Sequence, residues 1–209
     1  MKFVPIIAAT LILSATAAQA ARVDMKDPRR ALGREDDIRI DAQLYQDSIS
    51  SNSALNVTYQ VQNLTESAIA IADKVVAVSY DEDSQTITMS IGAEIPDEKL
   101  PHLVVIAPGA KKTLSASGAF NVLIANNRLA RVPLSFQVRV SVLRDIAPFR
   151  DLIAQQSAPR PVTLPNALFD TWLDANDNIF CNAIPVRWNA GAPRNTISAE
   201  QRMAPAGTW

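Results

Sequence analysis

The chain has 209 residues, with 20 basic and 21 acidic side chains and a formal net charge of −1 at neutral pH. This balance does not favour a nucleic-acid partner, because proteins that bind nucleic acids carry a basic footprint. One histidine and one cysteine, His102 and Cys181, exclude an internal disulfide and cannot form an all-histidine or cysteine-rich zinc site.

The amino-terminal segment has the composition of a signal peptide. Lys2 supplies a positive start, residues 3–13 form a short apolar run, and Ala18 and Ala20 match the A-x-A pattern of a signal-peptidase site. The run is shorter than the roughly 20 apolar residues that a membrane span needs. We therefore expect a signal peptide over 1–20, a periplasmic or secreted protein, and no integral membrane segment after cleavage.

The segment that follows is rich in charge. Basic and acidic side chains cancel along residues 21–36, and the regular alternation of apolar residues starts only at Ile38. A solvated, flexible leader over 21–36 is the interpretation that this pattern favours, with the folded domain beginning near Asp37.

Alternation with a period of two dominates residues 37–145 and predicts half-buried antiparallel strands. The clearest alternation lies at 38–44, 55–62, 86–91 and 134–142, and weaker strands are predicted at 67–72, 75–80, 102–107 and 112–119. The whole domain is therefore predicted to be mainly β.

Turn residues separate these predicted strands. Residues 63–66 and 81–84 predict hairpin turns, and Pro108-Gly109 predicts a type II turn, in which glycine accepts the positive φ. The longer segments 92–101 and 121–133 predict crossovers between two sheets.

Roughly seven or eight short strands in about 110 residues are typical of an immunoglobulin-like sandwich. The segment LNVTYQVQNLT at 55–65, the sequence IAPG at 106–109 and the alternating strand that follows resemble parts of bacterial exported immunoglobulin-like domains. The resemblance covers about half of the chain and is generic. It implies an immunoglobulin-like antiparallel β-sandwich over 37–145 and no particular activity.

The composition changes after Asp145, with seven of the thirteen prolines from Pro148 onwards. Short helices are predicted at 148–156 and 165–174. We expect residues 146–188 to form a C-terminal extension packed on the sandwich. The apolar side chains expected to make that contact are Phe149, Leu152, Leu168, Trp172 and Phe180.

Three residues near the carboxyl end are candidates for contacts with other molecules. Trp188 and Trp209 are candidate partner-binding residues, and residues 189–209 are predicted to be a flexible tail because glycine and proline interrupt them. Cys181 lies among apolar neighbours, which favours a buried free thiol, and an intermolecular disulfide is the alternative.

The remaining side chains suggest no catalytic centre. His102 stands between Pro101 and an apolar run, which favours the start of a strand over a catalytic or metal-binding role. Residues 174–178 resemble the start of a calcium loop but lack its central glycine and final glutamate. We therefore assign no catalytic, cofactor-binding or metal-ligating residue and expect no cofactor.

The composition as a whole predicts an exported, non-enzymatic binding or assembly module. A protein partner would be held through sandwich loops, an edge strand or the C-terminal tail. One alternative is a periplasmic chaperone-like protein that binds extended segments by strand addition, with residues 134–142 as the candidate edge. The other is a carboxylate-dependent hydrolase, because two acidic residues can meet in space from any sequence positions.

Overall fold

The computed structural model describes residues 23, 26–27, 29–50, 53–73, 75–92, 100–120, 131–156 and 162–189. Over these ranges the protein is mainly β, as predicted, with two short helices towards the carboxyl end. The predicted signal peptide, most of the predicted tail and Trp209 lie outside the described residues.

The elements follow one another in this chain order. The strands are β1 (Arg30–Glu35), β2 (Ile38–Leu44), β3 (Ser48–Ile49), β4 (Ser53–Asn63), β5 (Ile69–Ala72), β6 (Val75–Asp81), β7 (Thr86–Ile91), β8 (Leu103–Ile106), β9 (Lys111–Phe120), β10 (Ser135–Leu143), β11 (Asn176–Phe180), β12 (Ile184–Pro185) and β13 (Arg187–Trp188). The helices are α1 (Arg150–Gln155) and α2 (Phe169–Ala175).

Two sheets enclose the main core. The front sheet has the order β1-β2-β4-β9, with every neighbouring pair antiparallel. The back sheet has the order β6-β7-β10-β5-β8, and β11 and β12 also pair with β10. Inward side chains from both sheets form one buried cluster, in which Tyr59 of the front sheet and Phe136 of the back sheet are among the largest members. The alternation in the sequence arises from this burial of one face of each strand.

The back sheet departs from the purely antiparallel arrangement that was expected. Strand β10 runs parallel to β7, with Phe136 opposite Ile87 and Val140 opposite Ile91. Parallel pairing is possible here because β8 and β9 separate the two strands in the chain, so no tight turn constrains their directions.

The connections also differ in part from prediction. The turn at 81–84 does close the β6–β7 hairpin, and Gly109 has a φ of 70° in a turn closed by the Ala110 N–H donating to the Ala107 carbonyl at 3.0 Å. The hairpin predicted at 63–66 is wrong, because that segment leads from β4 of the front sheet to β5 of the back sheet. The crossover predicted at 92–101 is also wrong, since it joins β7 and β8 of one sheet.

The flexible leader predicted over 21–36 is wrong for residues 30–35, and part of it lies outside the described residues. Residues Arg30–Glu35 form β1, and Ala31 is buried between the sheets opposite Ala42. A Cβ atom at Gly33 would lie 2.9 Å from the Phe180 carbonyl oxygen, so this glycine permits β1 to approach the back sheet. The prediction fails because one charge-rich strand at a sheet edge alternates too briefly to be distinguished from a solvated segment.

The seam between the sheets is closed by β1 and the C-terminal extension. The Asn182 N–H donates to the Leu32 carbonyl at 2.9 Å, and the Leu32 N–H donates to the Asn182 side-chain oxygen at 2.5 Å. The edge of the front sheet and the edge of the back sheet are therefore joined by hydrogen bonds.

A second, smaller core lies on the outer face of the back sheet. Ala70, Ala72 and Leu143 point outwards from the sheet and are covered by Phe149 and Trp172. Leu152 and Leu168 are partly buried against the same cluster, so the predicted packing of both helices is confirmed. Phe180 is the exception, because it lies on the solvent face of β11 and is 53% exposed.

Strand β10 is not an edge strand. One of its sides pairs with β7 and β5, and the other pairs with β11 and β12. The prediction that residues 134–142 offer an uncovered edge for strand addition is therefore wrong. The C-terminal extension supplies the strands that occupy this edge, which the sequence pattern of the sandwich alone did not reveal.

Candidate interaction surfaces

Trp188 anchors the last described part of the chain. Strand β13 pairs in parallel with β3, and the Asn189 N–H donates to the Ile49 carbonyl at 2.8 Å. The Trp188 ring is half-buried and meets the Phe120 ring edge to face, with 6.2 Å between centroids. These contacts are all internal, so a role of Trp188 in partner binding stays a prediction, as it does for Trp209.

Cys181 lies in the main core. It is 1% exposed, its N–H donates to the Val138 carbonyl at 2.9 Å, and burial raises the pKa of its thiol to about 12. A thiol in this environment is protonated and shielded at neutral pH, and only the thiolate reacts readily. The predicted burial of Cys181 is therefore confirmed. The intermolecular disulfide stays a prediction, and it would require this core to open.

His102 stands at the start of β8, where its Nδ1 lies 2.9 Å from a carboxylate oxygen of Asp73. Both side chains are open to solvent. The residues that the sequence compared with a calcium loop are engaged elsewhere: Asp177 pairs with Arg144, and Asn178 accepts a hydrogen bond from Ser141 at 2.7 Å. Over the described ranges no group of three or more His, Cys, Asp or Glu side chains could hold a metal ion.

Asp41 is the carboxylate with the most restricted access to solvent among the described residues. Its side chain is 5% exposed on the outer surface of the front sheet, beneath Arg30 and Arg39. The Arg39 Nε lies 3.0 Å from one carboxylate oxygen, and Arg30 pairs with the other. Asp41 therefore pairs with one guanidinium group from β1 and one from β2. The carboxylate-dependent hydrolase stays a prediction.

Helix α2 presents two apolar side chains to solvent. Phe169 is 41% exposed and Leu173 is 57% exposed, and the two lie one helical turn apart. Asp170 and Asp174 are exposed beside them with the same spacing. We call these four residues the α2 ridge.

The α2 ridge has a rigid support. On the opposite side of the helix Trp172 is 1% exposed and meets Phe149 edge to face, with 5.3 Å between ring centroids. The Ala175 carbonyl at the end of the helix accepts a hydrogen bond from the Arg144 N–H at 3.1 Å. The helix is thus fixed to the back sheet while its apolar ridge points away from it.

Comparison of the chain with family models, curated proteins and solved structures found no match. The surfaces described above therefore rest on the geometry of this chain alone. In the described part of the chain, no helix combines the length and apolar character needed to cross a membrane.

The sequence contained the spacing of the α2 ridge and also indicated which side of the helix is buried. Leu168 and Trp172 share one four-residue spacing, and Phe169 and Leu173 share another. The expectation that Leu168 and Trp172 pack on the sandwich is confirmed, since Trp172 is buried and Leu168 is partly buried against the second core. The sequence did not identify Phe169 and Leu173 as an exposed pair, because a second four-residue spacing is also compatible with burial.

Proposed function

We propose that the protein is an exported, non-enzymatic binding module that holds a protein partner on the α2 ridge. The observation that supports this proposal is the exposure of Phe169 and Leu173 on a helix whose other side is fixed to the back sheet. A preorganised helix loses little conformational entropy when it binds, so most of the gain from apolar contact is retained.

The ridge also specifies the chemistry of its partner. Full burial of an aromatic or leucine side chain contributes about 1.5–3 kcal/mol of stabilisation. Phe169 and Leu173 are partly exposed, so part of this free energy is still available for binding a partner. Helices bind to other proteins by placing such residues in an apolar groove. The exposed carboxylates of Asp170 and Asp174 predict a groove with Lys or Arg side chains on its rim, which would increase the association rate and orient the helix.

The experiment compares recovery of partners from the cell envelope or medium of the producing cell by the wild-type protein and by variants. We expect Phe169→Ser/Leu173→Ser to lose the partner while its thermal midpoint stays near that of the wild type. Leu134→Ser is the matched control, because Leu134 is 54% exposed and lies next to β10, away from α2.

The outcome that contradicts the proposal is partner recovery that is equal for the wild type and the α2 double variant. A chain that ends at Asn189 tests the rival element, the predicted C-terminal tail with Trp209. If removal of residues 190–209 abolishes recovery and the α2 double variant does not, the tail binds the partner and the α2 ridge does not.

A further inference from the structure

The aromatic ring of Tyr45 is fixed on the outer surface of the front sheet. Its phenol oxygen lies 2.5 Å from the Thr58 Oγ1. Its N–H donates to the Asn56 carbonyl at 3.0 Å, and its own carbonyl accepts a hydrogen bond from Arg29 at 2.7 Å. Both ends of the residue are therefore held, although 52% of its surface is exposed.

The exposure of Thr58 shows how the Tyr45 ring is oriented. Val57 and Tyr59 on either side of it point into the core, so Thr58 points outwards. Thr58 is nevertheless only 1% exposed, and Tyr45 is the side chain hydrogen-bonded to it most closely. Tyr45 therefore covers Thr58, and the part of the residue that stays exposed forms an aromatic platform on the outer surface of the sheet.

Next to this platform lies a band of uncharged polar side chains, which we call the polar ladder. Its members are the solvent-accessible, uncharged polar residues on the outward faces of β4 and β9: Asn56, Gln60, Gln62, Thr113, Ser115 and Ser117. Lys111, which lies opposite Gln62 on the same face, stands at the end of this band. Gln60 donates to the Thr113 Oγ1 at 3.0 Å, which orders the centre of the ladder. From Asn56 to Gln62 the band is about 20 Å long, at roughly 3.3 Å per residue of strand.

A groove of about 370 Å³ begins at the residues on either side of Tyr45. Leu44 and Gln46 line it together with Arg29, Asp47 and Arg187. Arg29 connects the groove to the platform, because the guanidinium that donates to the Tyr45 carbonyl also contacts Asp47 at 2.9 Å. Pro185 and Val186 complete the lining, so the groove has an apolar wall as well as charged side chains.

We infer that Tyr45 and the polar ladder form a binding site for a neutral oligosaccharide. A sugar ring has apolar C–H groups on its faces and hydroxyl groups at its edge. An exposed aromatic ring can stack against the faces, and hydroxyl and amide side chains can both donate to and accept from the sugar hydroxyls. The ladder members are uncharged, which keeps the cost of their desolvation low. The charged side chains next to them on this face are Lys111 and the paired Arg39 and Asp41, which lie opposite Gln62 and Gln60 at the border of the band.

The same features disfavour an extended peptide. Peptides that add to a sheet bind the backbone of an edge strand and insert alternate side chains into pockets. The polar ladder lies on the face of the sheet, whereas a peptide that adds a strand would bind the outer edge of β9. The site is also independent of the proposed function, since the α2 ridge lies on the outer side of the back sheet.

The test uses the protein without residues 1–20 in two steps. An array of neutral oligosaccharides that includes gluco-, xylo-, manno- and chito-oligosaccharides identifies a binding series, and calorimetric titration with a hexasaccharide of that series measures the affinity. We expect Tyr45→Ala to weaken binding about tenfold or more through loss of the platform. Tyr45→Phe keeps the ring and is expected to retain most of the affinity.

Phe180→Ala is the matched control, because Phe180 is an aromatic residue on the back sheet that is 53% exposed, close to the 52% of Tyr45. The affinity of the Phe180→Ala variant for the hexasaccharide is expected to equal that of the wild type. Three results would overturn the inference: no binding by any neutral series at millimolar concentration, binding confined to acidic or sulfated sugars, or binding that is unchanged in Tyr45→Ala. A loss in Tyr45→Phe as large as in Tyr45→Ala would refute the stacking role of the ring.

Discussion

Replacement of Trp172 by alanine is the most direct test of how the helices are held. Trp172 is 1% exposed and packs edge to face on Phe149, whose own side chain is fully buried. Truncation of a buried tryptophan to alanine costs about 3–5 kcal/mol, which includes the transfer free energy of the lost atoms and the cavity that remains. The edge-to-face pair accounts for about 0.5–1.5 kcal/mol of interaction beyond buried area.

The assay is urea unfolding followed by circular dichroism, with Leu173→Ala as the control in the same helix. Leu173 is 57% exposed, so its truncation should change the free energy of unfolding by no more than about 0.5 kcal/mol. A loss below about 1 kcal/mol in Trp172→Ala would refute the reasoning. That result would mean that the second core collapses around the cavity or contributes little to the stability of the sandwich.

Further predictions concern the amino terminus, the Cys181 thiol and the Asp27 carboxylate. The intact mass of the exported protein should correspond to cleavage after Ala20, and a mature chain that retains residues 1–20 would contradict this. The Cys181 thiol should resist Ellman's reagent until the protein unfolds. The folded-state pKa of the thiol, about 12, exceeds the ordinary 9.0, so the free energy of unfolding should fall as the pH rises above 9, and it should fall less in Cys181→Ala. A reductant-sensitive dimer band that is lost in Cys181→Ser would contradict the buried thiol. Hydrogen bonds from Arg29 hold the pKa of Asp27 well below its ordinary 3.8, so stability should fall as the pH drops below about 4, and Asp27→Asn should flatten this dependence in acid unfolding curves.

The strands of the sandwich could be predicted because each buries one face. In β4 the alternation of Leu55, Val57 and Tyr59 with polar residues follows directly from a core on one side and water on the other. The turn at Gly109 was predictable for a similar reason, since few other residues adopt its φ of 70°. Local chemistry determines these features, and local chemistry is what a single sequence records.

Features that depend on distant residues were not predictable in this way. In strand β1 only Ala31 and Gly33 are buried. A glycine is needed at position 33 because the Phe180 carbonyl, almost 150 positions later in the chain, approaches it closely. Strand β12, which contains Pro185, lies beside β10 as an outer strand, a position in which proline is tolerated. The sequence pattern did not show which strand it would cover.

The candidate sites fall between these two cases. The residue spacing that produces the α2 ridge was visible, and the burial of Trp172 that turns Phe169 and Leu173 towards solvent was expected from the sequence. Tyr45 gave no signal, because a single tyrosine after a strand has no periodicity. Its significance depends on a hydrogen bond to Thr58, thirteen positions away on the neighbouring strand.

The bond between Leu32 and Asn182 spans 150 positions of the chain and has a consequence for the order of folding. A chain that emerges amino terminus first from a translocation channel or a ribosome has most of its sandwich outside before Asn182 appears. Until then β1 has a partner on one side only, and β10 lacks both β11 and β12. Contacts of such sequence separation make folding slow, on the scale of milliseconds to seconds for β-sandwiches. Residues 176–185 therefore close the structure after the sandwich has emerged, and a chain that lacks them would expose two sheet edges to other chains.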